Sequence, residues 1–573
     1  MHPNTQTRIQ TWLEGNYDPE TKASIQAMTD EEKNEAFYKT LEFGTGGLRG
    51  ILGVGTNRVN RYTIGAATQG LSNYLKAHYG DREPLRAVIA YDSRHQSDTL
   101  AQVVADVFSA NDIEVFIFEG IRPTPELSFA IRHLNCQTGV VLTASHNPKI
   151  YNGYKAYWKD GGQVVPPHDR QIIAAVEAIQ SVDEIRFAPA PERIHRIGTE
   201  VDQAYRTYVC GLSVKPEVIQ RQADACIVFS PLHGTGIEGV PQVLEALGFK
   251  NVHLVEEQCS PDGDFPTVVY PNPEEAEAMA LGLAYAQRLK ADVLMATDPD
   301  ADRVGIAVRD WTGKFSLLNG NQTGALLIAY LLEAWQKANK LDGKQMVIKT
   351  IVTTDLIARV AQHYGVACYD TLTGFKYIAE LIREKEGQET FIAGGEESYG
   401  YLIGDGVRDK DAVAACAIIA EMVAYAKDKG FSLFDWLIEI YQKYGCYQEG
   451  LFSLVREGKE GAEQIRQLMQ DLRQNPPRTL GGSPVQYCHD YQSLQTRNLL
   501  QDQIQPLEGF PASNVLQFLT VDGAKVSVRP SGTEPKIKFY VSVQAPLPNK
   551  SDYPTVLKGL QQRIEAIKND LIP

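Results

Sequence analysis

The stretch ADVLMATDPDADRVGIAV sets Asp298, Asp300 and Asp302 at alternate positions straight after an apolar run. In an extended backbone alternate side chains share a face, so three carboxylates are expected to converge. Their repulsion calls for a counter-charge, which a hard divalent cation with oxygen ligands supplies. The EF-hand loop is excluded by its own spacing: counted from Asp298, its sixth-position Gly is Arg303 and its twelfth-position Glu is Arg309. Mg2+ fits better, because it takes few carboxylates and completes its shell with water and phosphate oxygens. An Asp-rich turn is the competing reading; the apolar strand before it and Arg303 after it favour a metal site.

Other loops carry further chemistry. In KVSVRPSGTEPKIKFYV, Arg529 offers a planar fork, Ser531 and Thr533 hydroxyls, and Gly532 a close backbone approach. These are the parts of a phosphate cradle, and equally of an ordinary hairpin turn. In GGEESYGYLIGDGVRDKDA, Glu396 and Ser398 alternate, which suits a polyol such as a sugar or, more blandly, a helix cap. Lys410, in the same segment, reads as a proton-transfer group, a phosphate contact or a solvated lysine. FGTGGLRG brings Arg49, and DTLTGFKYI brings Thr373, Gly374 and Lys376.

VVLTASHNPKIYNGYKAY places Ser145 beside His146 and so raises a hydrolase. No GxSxG elbow exists in the chain. In an extended segment the two neighbours would point to opposite faces, a poor nucleophile and base pair. Asn147-Pro148 reads as a turn that holds Ser145 at the strand end, with Lys155 as a downstream cation. A second decoy is LHGTGIEGV, where Gly234, Gly236 and Gly239 spell the dinucleotide fingerprint and the next strand ends in Glu256 and Glu257. It makes an NAD-dependent oxidoreductase the rival class. Pro231-Leu232-His233 delays the tight turn, and nothing in the chain resembles a hydride-transfer partner. A Rossmann-like sheet without NAD is the preferred reading.

These loops need strands that end where they begin. RAVIAYDS, TGVVLTAS, ACIVFSPLHG, NVHLVEE, ADVLMATD, QMVIKTIVTT and TFIAGGEE alternate with amphipathic stretches such as GALLIAYLLEAWQKAN and DLIARVAQHYG. That alternation implies βαβ units with mixed, mainly parallel sheets. Three times a strand ends in a polar loop and a later strand ends in a more loaded one: AYDSR before TASHNP, SPLHG before DPDADR, TTD before GEESYG. Parallel sheets bind ligands beyond the carboxyl ends of their strands. The expected layout is α/β over 1–205, 206–318 and 319–445, with a smaller α+β domain over 446–573.

Composition narrows the class. The 573 residues exceed one core; hydrophobic content of 43% and charged content of 22% are those of a globular protein. No apolar run reaches the ~18 residues of a membrane helix, and MHPNTQTRIQTWLEG lacks the pattern of a signal peptide. The 8 cysteines are scattered without zinc spacing, which points to a reducing compartment, the cytoplasm. A net charge of −15 argues against nucleic acid and leaves room for a small anion held by a few local cations.

TASHNP, DPDADR, GEESYG and RPSGTEP, in this order, resemble the α-D-phosphohexomutases, and the likeness spans most of the chain, from GTGGLRG to KIKFY. Length and the GEES form look closest to the phosphoglucomutase branch; phosphomannomutases and phosphopentomutases share much of the pattern. The resemblance implies three related α/β domains and a smaller C-terminal one around a central cleft. It implies that Ser145 carries a phosphoryl group, that Ser145, Asp298, Asp300 and Asp302 hold Mg2+, and that Glu396 and Ser398 hold sugar hydroxyls. Arg529, Ser531, Gly532 and Thr533 would grip the non-transferred phosphate, with Arg49, Lys155, Arg303, Thr373, Gly374 and Lys376 lining the site. Some members place a His just after the GE-x-S loop; here Tyr399-Gly400-Tyr401 follows. Lys410 in RDKDA matches the Lys-Asp position of the longer phosphoglucomutases, so the resemblance favours it for proton transfer, with His146 as the alternative. The implied partner is a phosphosugar, with glucose 1,6-bisphosphate as intermediate; oligomeric state is not readable.

Overall fold

The computed structural model describes residues 2–44, 47–80, 84–456, 458–531 and 536–572. All seven apolar runs named above form strands: Arg86–Tyr91, Thr138–Leu142, Ile227–Ser230, Val252–Leu254, Val293–Thr297, Gln345–Thr350 and Thr390–Gly395. The chain divides into two compact units, Met1–Gly320 with Phe375–Ser432, and Asn321–Gly374 with Leu433–Pro573.

In the first unit a six-stranded sheet runs in the order Gly47–Ile51, Tyr151–Trp158, Thr138–Leu142, Arg86–Tyr91, Glu114–Phe118, Ile194–Ile197. Thr138–Leu142, Arg86–Tyr91, Glu114–Phe118 and Ile194–Ile197 are parallel; Tyr151–Trp158 returns antiparallel. Both faces are covered. Ile89, Val140 and Leu142 pack with Leu71, Leu75 and Phe108 of two helices on one side. Val88, Ala90 and Val141 pack with Leu127 and Ile131 on the other. Burial on both faces is why these strands read as unbroken apolar runs rather than alternating ones.

A five-stranded sheet follows, ordered Phe315–Leu318, Val304–Arg309, Val293–Thr297, Ile227–Ser230, Val252–Leu254, with the last three strands parallel. Thr390–Gly395 pairs antiparallel with Tyr401–Ile403. The helix Ala412–Asp428 is buried nearly all round, and its Ala-rich sequence lets neighbours approach from every side. Three N-terminal helices bring Trp12, Ile25 and Phe37 against Tyr62.

The three loaded loops of this unit share one construction. Each buried strand ends, turns, and returns antiparallel: Thr138–Leu142 into Tyr151–Trp158, Val293–Thr297 into Val304–Arg309, Thr390–Gly395 into Tyr401–Ile403. The turns are TASHNP, DPDADR and GEESYG, and each contains one non-glycine residue with a left-handed backbone: Ser145 (φ 52), Ala301 (φ 51) and Tyr399 (φ 67).

In the second unit Gln345–Thr350 and Ala367–Thr371 are parallel neighbours. An antiparallel sheet runs from Cys446–Val455 through Lys536–Ala545, Lys525–Pro530, Leu516–Thr520, Ser483–Asp490 and Gln495–Asn498 to Gln503–Pro506. The helix Tyr553–Leu571 packs on its first two strands. RPSGTEP joins Lys525–Pro530 to Lys536–Ala545; its Gly532 and Thr533 lie outside the described residues.

Candidate active site

The aspartate loop is a turn. Asp298 Oδ1 accepts the backbone N–H groups of Asp302 (3.1 Å) and Arg303 (3.0 Å), and the Ala301 N–H donates to the Asp298 carbonyl at 2.9 Å. The carboxylates do converge, with one oxygen from each lying within 4.8 Å of the others. The physical reason differs from the extended-segment expectation: the chain folds back on Asp298 with Ala301 left-handed. Two helix N-termini also meet this loop. Thr124, opening the helix Thr124–His133, donates its N–H to the Asp300 carbonyl (2.9 Å) and its hydroxyl to Asp300 Oδ2 (2.8 Å). Ala412, opening Ala412–Asp428, donates its N–H to the Ala301 carbonyl at 3.2 Å. Both helix dipoles thus present their positive ends to an anionic loop.

Ser145 sits against this loop, 3% exposed, with its Oγ donating to Asp298 Oδ2 at 2.7 Å. Its Oγ also lies 3.2 Å from His146 Nδ1. The expectation that the two side chains point apart is overturned, because Ser145 is left-handed rather than extended. Buried Arg94 holds the turn from beneath: its guanidinium donates to the carbonyls of Ser145 (2.6 Å), Pro148 (3.0 Å) and Tyr151 (3.0 Å), and to that of Asn147. Asp92 pairs with Arg94 at 3.4 Å and accepts from Thr143 Oγ1 (2.6 Å), and that hydroxyl in turn accepts the Ser145 N–H (2.8 Å). Arg94, Asp92, Thr143 and Thr124 are not among the sequence candidates; the charged DSR that ends AYDSR is a signal by which two of them could have been found.

Cations surround the triad. Lys155 Nζ donates to Asp300 Oδ2 (2.6 Å) and Asp302 Oδ2 (3.1 Å). Lys410 Nζ lies 3.1 Å from Asp302 Oδ2 and 3.0 Å from Asp409 Oδ1. Arg303 pairs with Glu274 at 2.8 Å. Burial and the other two aspartates push the Asp298 carboxyl well above its ordinary range. Burial opposes charge at Asp302 too, but Lys155, Lys410 and Arg303 outweigh it and hold that carboxylate well below its usual range. Burial likewise opposes the Lys410 ammonium, and Asp302, Asp409 and Glu396 outweigh it, raising its pKa. His146 is pushed well down by burial and by the charges of Arg303 and Arg49, which disfavours its protonated form.

Two carboxylate oxygens of the triad have no hydrogen bond: Asp300 Oδ1, and Asp302 Oδ1, which has the Arg303 guanidinium 3.8 Å away. Unsatisfied buried carboxylate oxygens are costly, and both belong to the triad. The oxygen-only donor set and these orphaned atoms fit a divalent cation such as Mg2+.

Arg49, on Gly47–Ile51, donates to Asn147 Oδ1 at 3.0 Å and so joins the serine turn. In the GEESYG hairpin the Glu396 N–H donates to the Gly400 carbonyl (2.9 Å), and the Val304 N–H donates to the Tyr399 carbonyl (3.0 Å), tying this loop to the strand after the triad. Glu396 is buried and Ser398 half-buried. Lys376 is the second residue of the helix Phe375–Lys385, where its charge interacts with Asp169 and Glu380. Thr373, Gly374, Arg529 and Ser531 belong to the second unit, where the Ser531 N–H donates to the Lys536 carbonyl at 2.7 Å.

The GTGIEG glycines have another use. A Cβ on Gly234 would stand 2.3 Å from Pro299 Cα, and one on Gly236 would stand 2.2 Å from Thr297 Oγ1. Thr235 donates its N–H to the Pro299 carbonyl at 2.7 Å. The space that a pyrophosphate would need beside these glycines is filled by the aspartate loop itself.

Four family models match the chain in order. They are Phosphoglucomutase/phosphomannomutase alpha/beta/alpha domain I at residues 40–183, domain II at 206–313, domain III at 319–444, and the C-terminal domain at 456–546. A phosphoglucomutase of Staphylococcus haemolyticus (strain JCSC1435) is 38% identical over 534 residues, covering 93% of this chain and 95% of its own. A phosphoglucomutase of Staphylococcus aureus (strain USA300) is 38% identical over 535 residues, with the same coverage of 93% and 95%. Among solved structures, the open form of pp63/parafusin, a phosphoglucomutase from Paramecium, aligns with a TM-score of 0.69 at 18% identity, over 92% of this chain and 96% of that one. A phosphoglucomutase/phosphomannomutase family protein from Burkholderia thailandensis aligns with a TM-score of 0.63 at 18% identity, over 92% and 97%. The two structural likenesses concern the fold.

Proposed function

Because the chain belongs to the phosphoglucomutase/phosphomannomutase family and is a phosphohexomutase, we propose that it interconverts glucose 1-phosphate and glucose 6-phosphate through a phosphorylated Ser145. The observation that carries this reading is the placement of Ser145 Oγ, buried at a strand end and 2.7 Å from Asp298. A hydroxyl so placed suits a carrier whose added charge is met by a cation cluster.

In the forward direction the P–O bond at Ser145 Oγ breaks and a P–O bond to the sugar 6-hydroxyl forms. The hydroxyl proton leaves the sugar and Ser145 Oγ regains one. Glucose 1,6-bisphosphate results, and its 1-phosphate returns to Ser145 by the reverse exchange as glucose 6-phosphate departs. Such transfers depend on positioning and charge neutralisation more than on covalent help. Asp298, Asp300 and Asp302 would hold Mg2+ together with an oxygen of the phosphorylated serine, and the ion would supply charge neutralisation at the phosphoryl oxygens. Lys155 and Arg303 add positive charge beside it. Lys410, its Nζ fixed between Asp302 and Asp409, handles the proton, with His146 as the alternative at 3.2 Å from the serine oxygen. Glu396 and Ser398 are the sugar-hydroxyl ligands; Arg49 and Lys376 add cationic contacts. In the second unit Arg529 and Ser531, with Gly532 and Thr533, are the phosphate-gripping candidates, and Thr373 and Gly374 further substrate contacts. Eight unpaired cysteines and the absence, among the described residues, of a helix long and apolar enough to cross a membrane favour a cytoplasmic enzyme.

Ser145→Ala tests the carrier. Mutase activity with glucose 1,6-bisphosphate present is expected to fall by about 10³-fold or more, and the phosphoserine mass shift to vanish. Activity near wild type would sink the reading. Specificity constants for glucose 1-phosphate, mannose 1-phosphate and ribose 1-phosphate decide the sugar; a mannose or ribose preference would replace glucose while leaving the serine chemistry intact.

A further inference from the structure

Lysine carries four rotatable bonds on a strongly hydrated charge, yet Lys410 is held along its whole length. Gly400, in the GEESYG turn, gives the stem its channel: a Cβ there would lie 2.1 Å from Lys410 Cδ. Phe375 lies beneath the ammonium, with Nζ 5.4 Å from its ring centre. Asp409 holds the tip, its Oδ1 accepting both the Lys410 backbone N–H (2.8 Å) and Nζ (3.0 Å).

Asp409 is itself pinned from a distant part of the chain. Its Oδ2 accepts the Tyr157 hydroxyl at 2.6 Å and Gln163 Nε2 at 3.0 Å. Tyr157 and Lys155 are two residues apart on Tyr151–Trp158 and so share a face. One strand thereby sets the two lysines that meet Asp302 Oδ2: Lys155 directly, and Lys410 through Asp409.

We infer that Tyr157 and Gln163 are positioning residues for the phosphoryl-transfer reaction, acting through Asp409 to aim the Lys410 ammonium. The inference rests on Lys410 serving that reaction, as proposed above. Neither side chain touches the aspartate triad in the bonds described. Their part is to keep Asp409 from rotating, so that Lys410 stays within hydrogen-bond reach of the reacting oxygens. Displacements of about 1 Å in such groups cost about 10²-fold in rate.

The experiment measures kcat and KM for Tyr157→Phe, Gln163→Leu, Lys410→Gln and the Tyr157→Phe/Lys410→Gln double variant, with melting temperatures. Tyr157→Phe keeps the ring and removes one hydrogen bond; kcat is expected to fall about tenfold with KM within about twofold. Gln163→Leu acts on the same oxygen and should lower kcat in the same sense, which keeps the test open if the tyrosine variant folds poorly. In the Lys410→Gln background Tyr157→Phe should have no further effect on the residual kcat. The same factor in both backgrounds would mean general loosening and overturn the inference, as would wild-type kcat in both single variants. A wild-type kcat for Lys410→Gln itself would instead overturn the role of Lys410, on which the inference stands.

Discussion

Ser145 Oγ donates a 2.7 Å hydrogen bond to Asp298 Oδ2 across 153 positions of chain. Each partner stands in a turn at the carboxyl end of a buried strand, in a different sheet. The bond therefore reports how two sheets are set against each other within one compact unit, and it fixes the distance over which charge at the serine is felt by the triad.

Crowding three buried carboxylates destabilises the protein when nothing neutralises them. Asp298→Asn keeps an acceptor for the backbone N–H groups of Asp302 and Arg303 but removes one charge. In a chelating buffer its melting temperature should rise above that of the wild type, because the repulsion that pushes the Asp298 carboxyl upward is gone. With Mg2+ the order should reverse, and calorimetry should show cation affinity reduced by more than the roughly 10–100-fold typical of outer-sphere changes. The same sign in both buffers would remove the triad as a cation site.

Gly234→Ala tests the second use of the glycine-rich turn. Its Cβ would meet Pro299 Cα at 2.3 Å, and this contact is backbone that has no flexible end to yield. Overpacking of this kind costs about 1–3 kcal/mol, here placed on the aspartate loop. A lower melting temperature together with weaker Mg2+ binding is expected, and NADH fluorescence should be unchanged by the wild-type protein. A fully tolerated alanine, or nucleotide binding, would refute this account.

Asp411 gives a pH signature away from the triad. It caps the helix Ala412–Asp428 through the Ala414 N–H (2.8 Å) and accepts from Tyr205 at 2.8 Å. Burial raises its carboxyl to about 6 despite those bonds. A raised acid binds more protons folded than unfolded, so its contribution is complete below about pH 4 and is lost as pH rises through about 6. Asp411→Asn keeps the cap without the titration. Between pH 4 and 7 the wild type should lose up to about 3 kcal/mol relative to this variant, read from denaturant unfolding at several pH values. Parallel pH profiles for the two proteins would contradict the assignment.

Every strand expected from an apolar run is present, because burial on both faces leaves a plain mark in side-chain type. Convergence of the aspartates was legible as well, though through the wrong backbone. Ser145, Ala301 and Tyr399 take left-handed conformations that their side chains do not advertise, and one such residue brought His146 round to Ser145 Oγ. The clamp by Arg94 was hidden for another reason: it grips carbonyl oxygens, which every residue carries alike. Tyr157 and Asp409 are separated by 252 positions, and no spacing rule spans that gap. Gly532 and Thr533 fall outside the described residues, so of the proposed phosphate cradle the structure describes Arg529, Ser531 and the two strands that flank them.

The buried counter-charges around Asp302 have one more consequence. A divalent cation brings two positive charges into this cluster, and a phosphoryl group on Ser145 brings about two negative ones. Arriving together they leave the total unchanged; either alone shifts it by two in a place where water screens little. If Ser145 carries the phosphoryl group as proposed, cation occupancy and serine phosphorylation are thermodynamically linked, each favouring the other by the same factor. Under the proposed mechanism, stripping the cation would leave behind a phosphoserine whose charge the fold no longer balances.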